Sequence, residues 1–412
     1  MTLGAVLMLS CIYLGKYIIA PLFDDLGTPA AEQTLANVQN AIATHSIYQP
    51  DSKELLLAGS KAMVESLNDP YADFISPQQV RSFKEESTGM RIGLGLLLNS
   101  ESLIVFPKPN SDAAKQGILP GDKFLEIDGE DVSSATPAEI LTLLDGSSNT
   151  SVDLTMQHGD GITYRCVVKR ERIPALTITD ERIVDAEHGI AHLTIKSFAS
   201  STPAELDSAL TRLDALGMRA LILDLRFNLG GQLNDAVAVV SHFLKGDIVC
   251  HLRPQVGEEY DKYADLQLSS HPDLPLLLLV NEQSASGSEV VAAALRDHDR
   301  AVLMGTQTYG KGVFQKVLSF RDPDFVIKFS AGQYLSPNGD LIADNVGLTP
   351  DFALDKQDEI VCSSIKSWRN RIRVPQKYTK QVENLFPDYT DVAPPADAWI
   401  DAAISQMRKQ MN

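Results

Sequence analysis

The sequence is short of positive charge. Its 412 residues hold 36 lysines and arginines against 54 aspartates and glutamates, a formal net charge of −18. Such a chain lacks the basic face that a phosphate backbone demands, which excludes nucleic acid as a partner, and anionic membrane surfaces repel its soluble part. Cysteine is scarce as well. Cys11, Cys166, Cys250 and Cys362 lie far apart and form no CxxC, so neither a thiolate metal cluster nor a redox pair is indicated. No metal or organic cofactor is expected. One disulfide remains open to an exported chain, without a choice of pair. Internal repeats and a phosphate-loop pattern are both missing.

The length allows two or three domains with proper cores. The first residues, MTLGAVLMLSCIYLGKYIIAPLF, form an apolar run broken by Lys16. Residues 1–27 are read as an export leader or membrane anchor, although the usual basic stretch before the apolar run is missing. A hydrophobic helix packed on the protein is the alternative. A lipoprotein cleavage box at Met8-Leu9-Ser10-Cys11 is disfavoured by Met8 and by the apolar residues that follow.

Helical spacing in PAAEQTLANVQNAIATHSI and KELLLAGSKAMVESL predicts an N-terminal helical region over 28–87, with Ser76 as the N-cap of its last helix. Over 88–170 short apolar runs alternate with turns, which predicts a small β-rich domain with two short helices, DAAKQG and PAEILTLLDG. Over 171–355 strands and helices alternate: GIAHLTIKSF, PAELDSALTRLDALG, RALILDL, NDAVAVVSHFLKG, LPLLLLV, SEVVAAALRDH, RAVLMG. That order implies parallel strands with helices packed on them. The tail, 356–412, is polar and ends in an amphipathic helix. The fold class is α/β.

Chemistry points first to NEQSASGSEV, where Ser284, Ser286 and Ser288 follow an apolar strand and open a helix. Loops at the carboxyl ends of such strands are where α/β proteins place reactive groups. Ser286-Gly287-Ser288-Glu289 is also an S-x-x-E capping box, and the two readings do not exclude each other. A serine needs a base. His298 is the nearest histidine, but the intervening helix puts it about 18 Å away at about 1.5 Å per residue. No G-x-S-x-G elbow is present. Lys311, in TYGKGVFQ, follows the next strand, whose return brings its loop to the same end of the sheet. Burial without a carboxylate partner would lower its pKa enough for the neutral amine to act as base. A solvated lysine on a glycine loop is the plain alternative. A third loop, DLRFNLGGQL, carries Asp224, Arg226, Asn228 and the pair Gly230-Gly231, whose backbone N–H groups suit an oxyanion, a simple strand-to-helix turn being the alternative.

Three stretches, DLRFNLGG, VNEQSASGSEVVAAALRDHDRAVLMGTQTYGKGVFQ and GQYLSPNGDLI with VGLTPDFAL, closely resemble the carboxyl-terminal processing peptidases, serine proteases with a serine–lysine active site. SLNDPYADFISPQQVRSFKEESTG resembles the segment entering their PDZ domain, and AAKQGILPGDKFLEIDGEDV its most recognisable part. The likeness covers roughly 35–355. It implies a mixed-sheet serine protease core with helices packed on it, an inserted PDZ-like β-rich domain, and helical N- and C-terminal segments. It also implies Ser286 as nucleophile, Lys311 as base, Gln315 as the residue orienting the lysine, oxyanion N–H groups at Gly230 or Gly231 and at Gly287, and Asp297 in support.

Three positions depart from that family's usual pattern, Phe227, Leu229 and Gly287, none of them a catalytic side chain. A loop at Ile92, Gly93, Leu94, Gly95 and Leu96 is the implied carboxylate-capturing site, a bulged strand being the alternative. The expected partners are protein or peptide substrates with free apolar C-termini. The family's usual place, outside the cytoplasmic membrane in the periplasm or an equivalent compartment, suits the apolar start. The terminal helices are left to oligomerisation or to packing on their own core. A catalytically weak PDZ scaffold is the rival from another class; an acyl-CoA enzyme would need a nucleotide-binding surface that the sequence does not offer.

Overall fold

The computed structural model describes residues 29–98, 104–108, 111–174, 176–342, 346–357, 361–365 and 395–411. The apolar segment 1–27 lies outside them. Among the described residues no helix is long and apolar enough to cross a membrane.

Backbone contacts divide the chain into two units. In the first, helices α1 (Pro29–His45) and α2 (Ser52–Glu65) precede the short strand β1 (Asp73–Ile75). Asp51 caps α2 by accepting the Lys53 N–H at 2.7 Å. β1 pairs antiparallel with residues 326–328, and Phe74 rests on Phe325.

Helix α3 (Pro77–Thr88) leads into the second unit, which opens with β-rich structure. Strand β2 (Met90–Gly93) is followed by β3 (Leu96–Leu98) and β4 (Ile104–Pro107), which pair with each other. Next come α4 (Asp112–Lys115), β5 (Lys123–Ile127), β6 (Glu130–Asp131), α5 (Pro137–Leu144), β7 (Ser151–Gln157), β8 (Thr163–Lys169) and β9 (Glu171–Pro174). β6, β5, β7 and β8 form an antiparallel sheet in that order, and β9 returns to pair with β2. β7 buries every second residue, so Val152, Leu154 and Met156 face a core shared with Ile104, Phe124 and Ile140. This is the period of a strand with one wet face. α5 begins at a full capping box between Thr136 and Glu139, with Pro137 in its first turn.

The rest is built on a six-stranded sheet in the order β10 (Ile178–Asp185), β11 (Ile190–Ile195), β12 (Ala220–Asp224), β15 (Leu276–Val280), β16 (Ala301–Gly305) and β19 (Phe352–Ala353). All neighbours run parallel except β10 and β11. IAHLTI, ALILD and LLLLV are buried at every residue, as expected when both faces of a parallel sheet are covered. Alternate side chains go to opposite faces. Leu221, Leu223 and Leu278 meet α6 (Thr202–Ala215), α7 (Leu233–Ser241) and α8 (Gly287–Asp297). Ile222, Leu277 and Leu279 meet Ile400, Ala403 and Met407 of the C-terminal helix α9 (Ala398–Met411). Of the two uses open to this helix, packing on its own core is the one seen here. β13 (Ile248–Pro254) pairs antiparallel with β14 (Tyr260–Tyr263) and with residues 332–335. Strands β17 (Val313–Phe320) and β18 (Phe325–Leu335) complete the list of long elements.

Candidate active site

Three strand ends of the parallel sheet meet at one place. β12 runs into 225–231, β15 into 281–286, and β16 into 306–312. The second loop is sewn to the first. Ser284 Oγ donates to the Leu225 carbonyl at 2.9 Å and Ser288 Oγ to the Asn228 carbonyl at 2.8 Å, while the Ala285 N–H reaches the same Asn228 oxygen at 3.0 Å. Two of the three serines are therefore occupied by neighbouring backbone. Ser286 is the one left at the helix start, 8 % exposed. Its φ of 54° lies in the left-handed region, so the chain turns sharply there. Tyr334 lies close by: burial pushes its phenol pKa up, and the Ser286 side chain works in the opposite direction.

Glu289 joins the second loop to the third. It is fully buried, a position a carboxylate tolerates only when its oxygens are well bonded. Oε2 accepts the Ser286 N–H at 2.9 Å and the Lys311 N–H at 2.8 Å. Oε1 accepts the Thr308 hydroxyl at 2.6 Å and the Gly310 N–H at 2.7 Å. The residue read as half of a capping box thus reaches 22 positions along the chain as well as back to Ser286. Tyr309 N–H donates to the Ser284 carbonyl at 3.0 Å, and Tyr334 N–H to the Gly312 carbonyl at 2.8 Å. Lys311 is half-buried, and its Nζ donates to Gln315 Oε1 at 3.0 Å.

The glycine pair sits against the serine. A Cβ on Gly230 would fall 2.8 Å from the Ala285 carbonyl oxygen and 2.8 Å from Ser286 Cβ, so only glycine lets the two loops approach this closely. The Gly230 N–H, however, is not offered to an oxyanion. Asn228 folds back over the loop in an Asx turn, and its Oδ1 takes that N–H at 2.8 Å. Its amide is in turn held by the Ile195 carbonyl at 3.0 Å. Among the described residues no backbone acceptor takes the N–H of Gly231 or of Gly287.

Asp297 lies at the far end of α8. Its Oδ2 accepts from Ser336 Oγ at 2.5 Å and from the Asn338 N–H at 3.2 Å, which ties the helix end to a turn. His298 Nε2 is 2.7 Å from the Ile248 carbonyl and takes no part in the serine's surroundings. In the β-rich region, Ile92 and Gly93 pair with Arg172 and Glu171 of β9, Leu94 joins the local core, and Leu96 opens β3. Only Leu94 and Gly95 belong to the loop itself. Gly95 O accepts the Lys108 N–H at 2.6 Å. Tyr334 and the linking role of Glu289 were absent from the sequence reading, although S-x-x-E marked Glu289 as a residue that reaches back to the serine.

Among solved structures, the photosystem II D1 C-terminal processing protease aligns with a TM-score of 0.45 at 24 % identity, over 77 % of this chain and 86 % of that one. A protein of Staphylococcus aureus (strain N315), named "Probable CtpA-like serine protease", is 30 % identical over 325 residues, 78 % of this chain and 64 % of that protein. The same name belongs to a Staphylococcus saprophyticus protein that is 31 % identical over 310 residues, 74 % of this chain and 62 % of that protein. The chain thus spans a little under two thirds of the length of these relatives. A PDZ domain profile matches residues 104–157, and the Peptidase family S41 profile matches residues 189–354. By the two profile matches, residues 189–354 form a domain of peptidase family S41 and residues 104–157, ahead of it, a PDZ domain.

Proposed function

We propose that the chain is an exported serine endopeptidase of the C-terminal processing type, which reads apolar C-terminal tails through its PDZ domain and cleaves with a Ser286–Lys311 dyad. One observation carries this reading. The Glu289 carboxylate binds the backbone N–H of both residues on a single oxygen, so the hydroxyl and the amine rise from loops held at one point. The dyad runs as follows. Neutral Lys311 Nζ, oriented by Gln315, accepts the Ser286 proton as Oγ attacks the scissile carbonyl carbon. The Gly231 and Gly287 N–H groups face the oxyanion that forms. Lys311 returns the proton to the leaving amine, and water then hydrolyses the acyl-enzyme with the lysine again as base.

Ser286→Ala and Lys311→Ala are each expected to reduce cleavage of an unfolded, apolar-tailed peptide on the order of a thousandfold or more. Product mass spectrometry on peptides that differ only at the C-terminus checks this and defines tail preference. Wild-type rates in either variant would remove the dyad.

A second reading, a catalytically weak scaffold, draws on Phe227 and Leu229, where the glycine loop departs from the family's usual pattern. Labelling by a fluorophosphonate separates the two. An endopeptidase is modified at Ser286, and a scaffold is not.

A further inference from the structure

Arg226 is 1 % exposed and the largest fully buried side chain among the described residues. A guanidinium leaves water only when carboxylates surround it. Asp224 takes its Nε at 3.0 and 3.1 Å and its Nη2 at 2.6 Å. That is one negative charge, and it comes from the same strand end. The second comes from Asp397, 171 residues later, which takes Nη1 at 3.1 Å and Nη2 at 2.7 Å. Gln357 accepts from Nη1 at 3.2 Å and donates to Asp397 at 3.0 Å. The Asp397 carboxylate also receives the Trp399 N–H at 3.1 Å, and the Trp399 ring lies 5.5 Å from the guanidinium. Asp397 is therefore both the entry to α9 and half of the counter-charge of Arg226. On the other side the set continues through the fully buried His192, whose Nε2 is 3.2 Å from Asp224 Oδ2 and whose Nδ1 is 3.1 Å from Asp180 Oδ2.

The cation so held stands at the root of the glycine loop. The Arg226 N–H is taken by Asp224 Oδ1 at 3.0 Å, and the Phe227 N–H by Asn281 Oδ1 at 3.0 Å. Asn228 and the two glycines follow directly. We propose that Asp397 is a positioning residue for the peptidase site. By completing the ion set around Arg226, the docked C-terminal segment fixes residues 225–231 against the serine loop, and with α9 displaced the Gly230–Gly231 side of the site is not formed. The activity arm of this inference rests on the Ser286–Lys311 reading, while its structural arm does not.

The test uses the full chain, with Asp397→Asn, which keeps the shape and removes the charge, and Asp397→Glu, which keeps the charge. Hydrogen–deuterium exchange by mass spectrometry reads residues 225–231, with β7 and β8 as internal reference. Exchange in 225–231 is expected to quicken about tenfold in Asp397→Asn with β7 and β8 unchanged, and to be partly restored in Asp397→Glu. Peptide cleavage is expected to lose about tenfold in kcat with KM within about twofold. Should Asp397→Asn fail to fold, Met407→Ala, which loosens α9 without touching a charge, is expected to quicken the same segment. Unchanged exchange at 225–231 overturns the proposal, and so does quickened exchange with unaltered kcat. A wild-type chain without Ser286-dependent cleavage sinks the dyad instead, and the exchange data then decide the anchoring role by themselves.

Discussion

At Ser286 the backbone carries as much information as the hydroxyl. A φ of 54° in a serine is strained by about 1–3 kcal/mol, held in place by the bonds of Ser284, Glu289 and Ser288 around it. Glycine adopts this conformation freely. Ser286→Gly is therefore expected to be more stable than Ser286→Ala by about 1 kcal/mol in urea denaturation, both being inactive. Equal stabilities would argue that the turn is unstrained. Glu289→Gln puts an amide donor opposite N–H donors in a fully buried site, and a loss of about 1–3 kcal/mol is expected from leaving such donors unpaired. Differential scanning calorimetry measures it. Ser286 and Lys311 could be proposed from sequence because the motifs that carry them are local. The second role of Glu289 could not, since no sequence pattern relates it to residues 308–311. The loss of Gly230 as a donor was equally hidden, because an Asx turn depends on how Asn228 folds over its own loop.

Among elements, those buried on both faces could be read directly. Runs such as ALILD and LLLLV permit little else between helices of amphipathic spacing. Strands β13, β14, β17 and β18 went unassigned because their residues are mostly half-exposed and mixed in polarity, so neither period stands out. Two elements allow quantitative tests. Thr136→Ala removes the side-chain acceptor that opens α5, and a loss of about 1 kcal/mol in PDZ-region stability is expected. At the other end of the chain, Arg408 of α9 donates to Asp185 Oδ2 at 2.7 Å and holds that carboxyl below its ordinary pKa. The stabilisation is complete above the unfolded value of about 3.9 and fades as pH falls through the depressed folded value. Arg408→Met should accordingly lower Tm at pH 6 and converge with wild type in strong acid. A gap that widens on acidification would contradict the pairing.

For the whole molecule, the order of domains matches the task proposed for it. A PDZ domain captures a terminal carboxylate with backbone N–H groups, and a peptide adds to a strand edge. Amidation of a substrate's C-terminus is expected to raise KM about tenfold or more with kcat little changed, provided the PDZ domain reads the carboxylate; equal KM values for acid and amide would place recognition elsewhere. On the same proposal, the net charge of −18 is expected to disfavour tails that bring further acidity of their own.

The 171-residue separation between Arg226 and Asp397 also has a meaning in time. A ribosome delivers the arginine long before it delivers the distal aspartate, and domains fold while synthesis proceeds. Until that later carboxylate emerges, the cation has a single counter-ion and remains drawn toward water. On the proposal made above, the glycine loop would settle against the serine only after that carboxylate has been made.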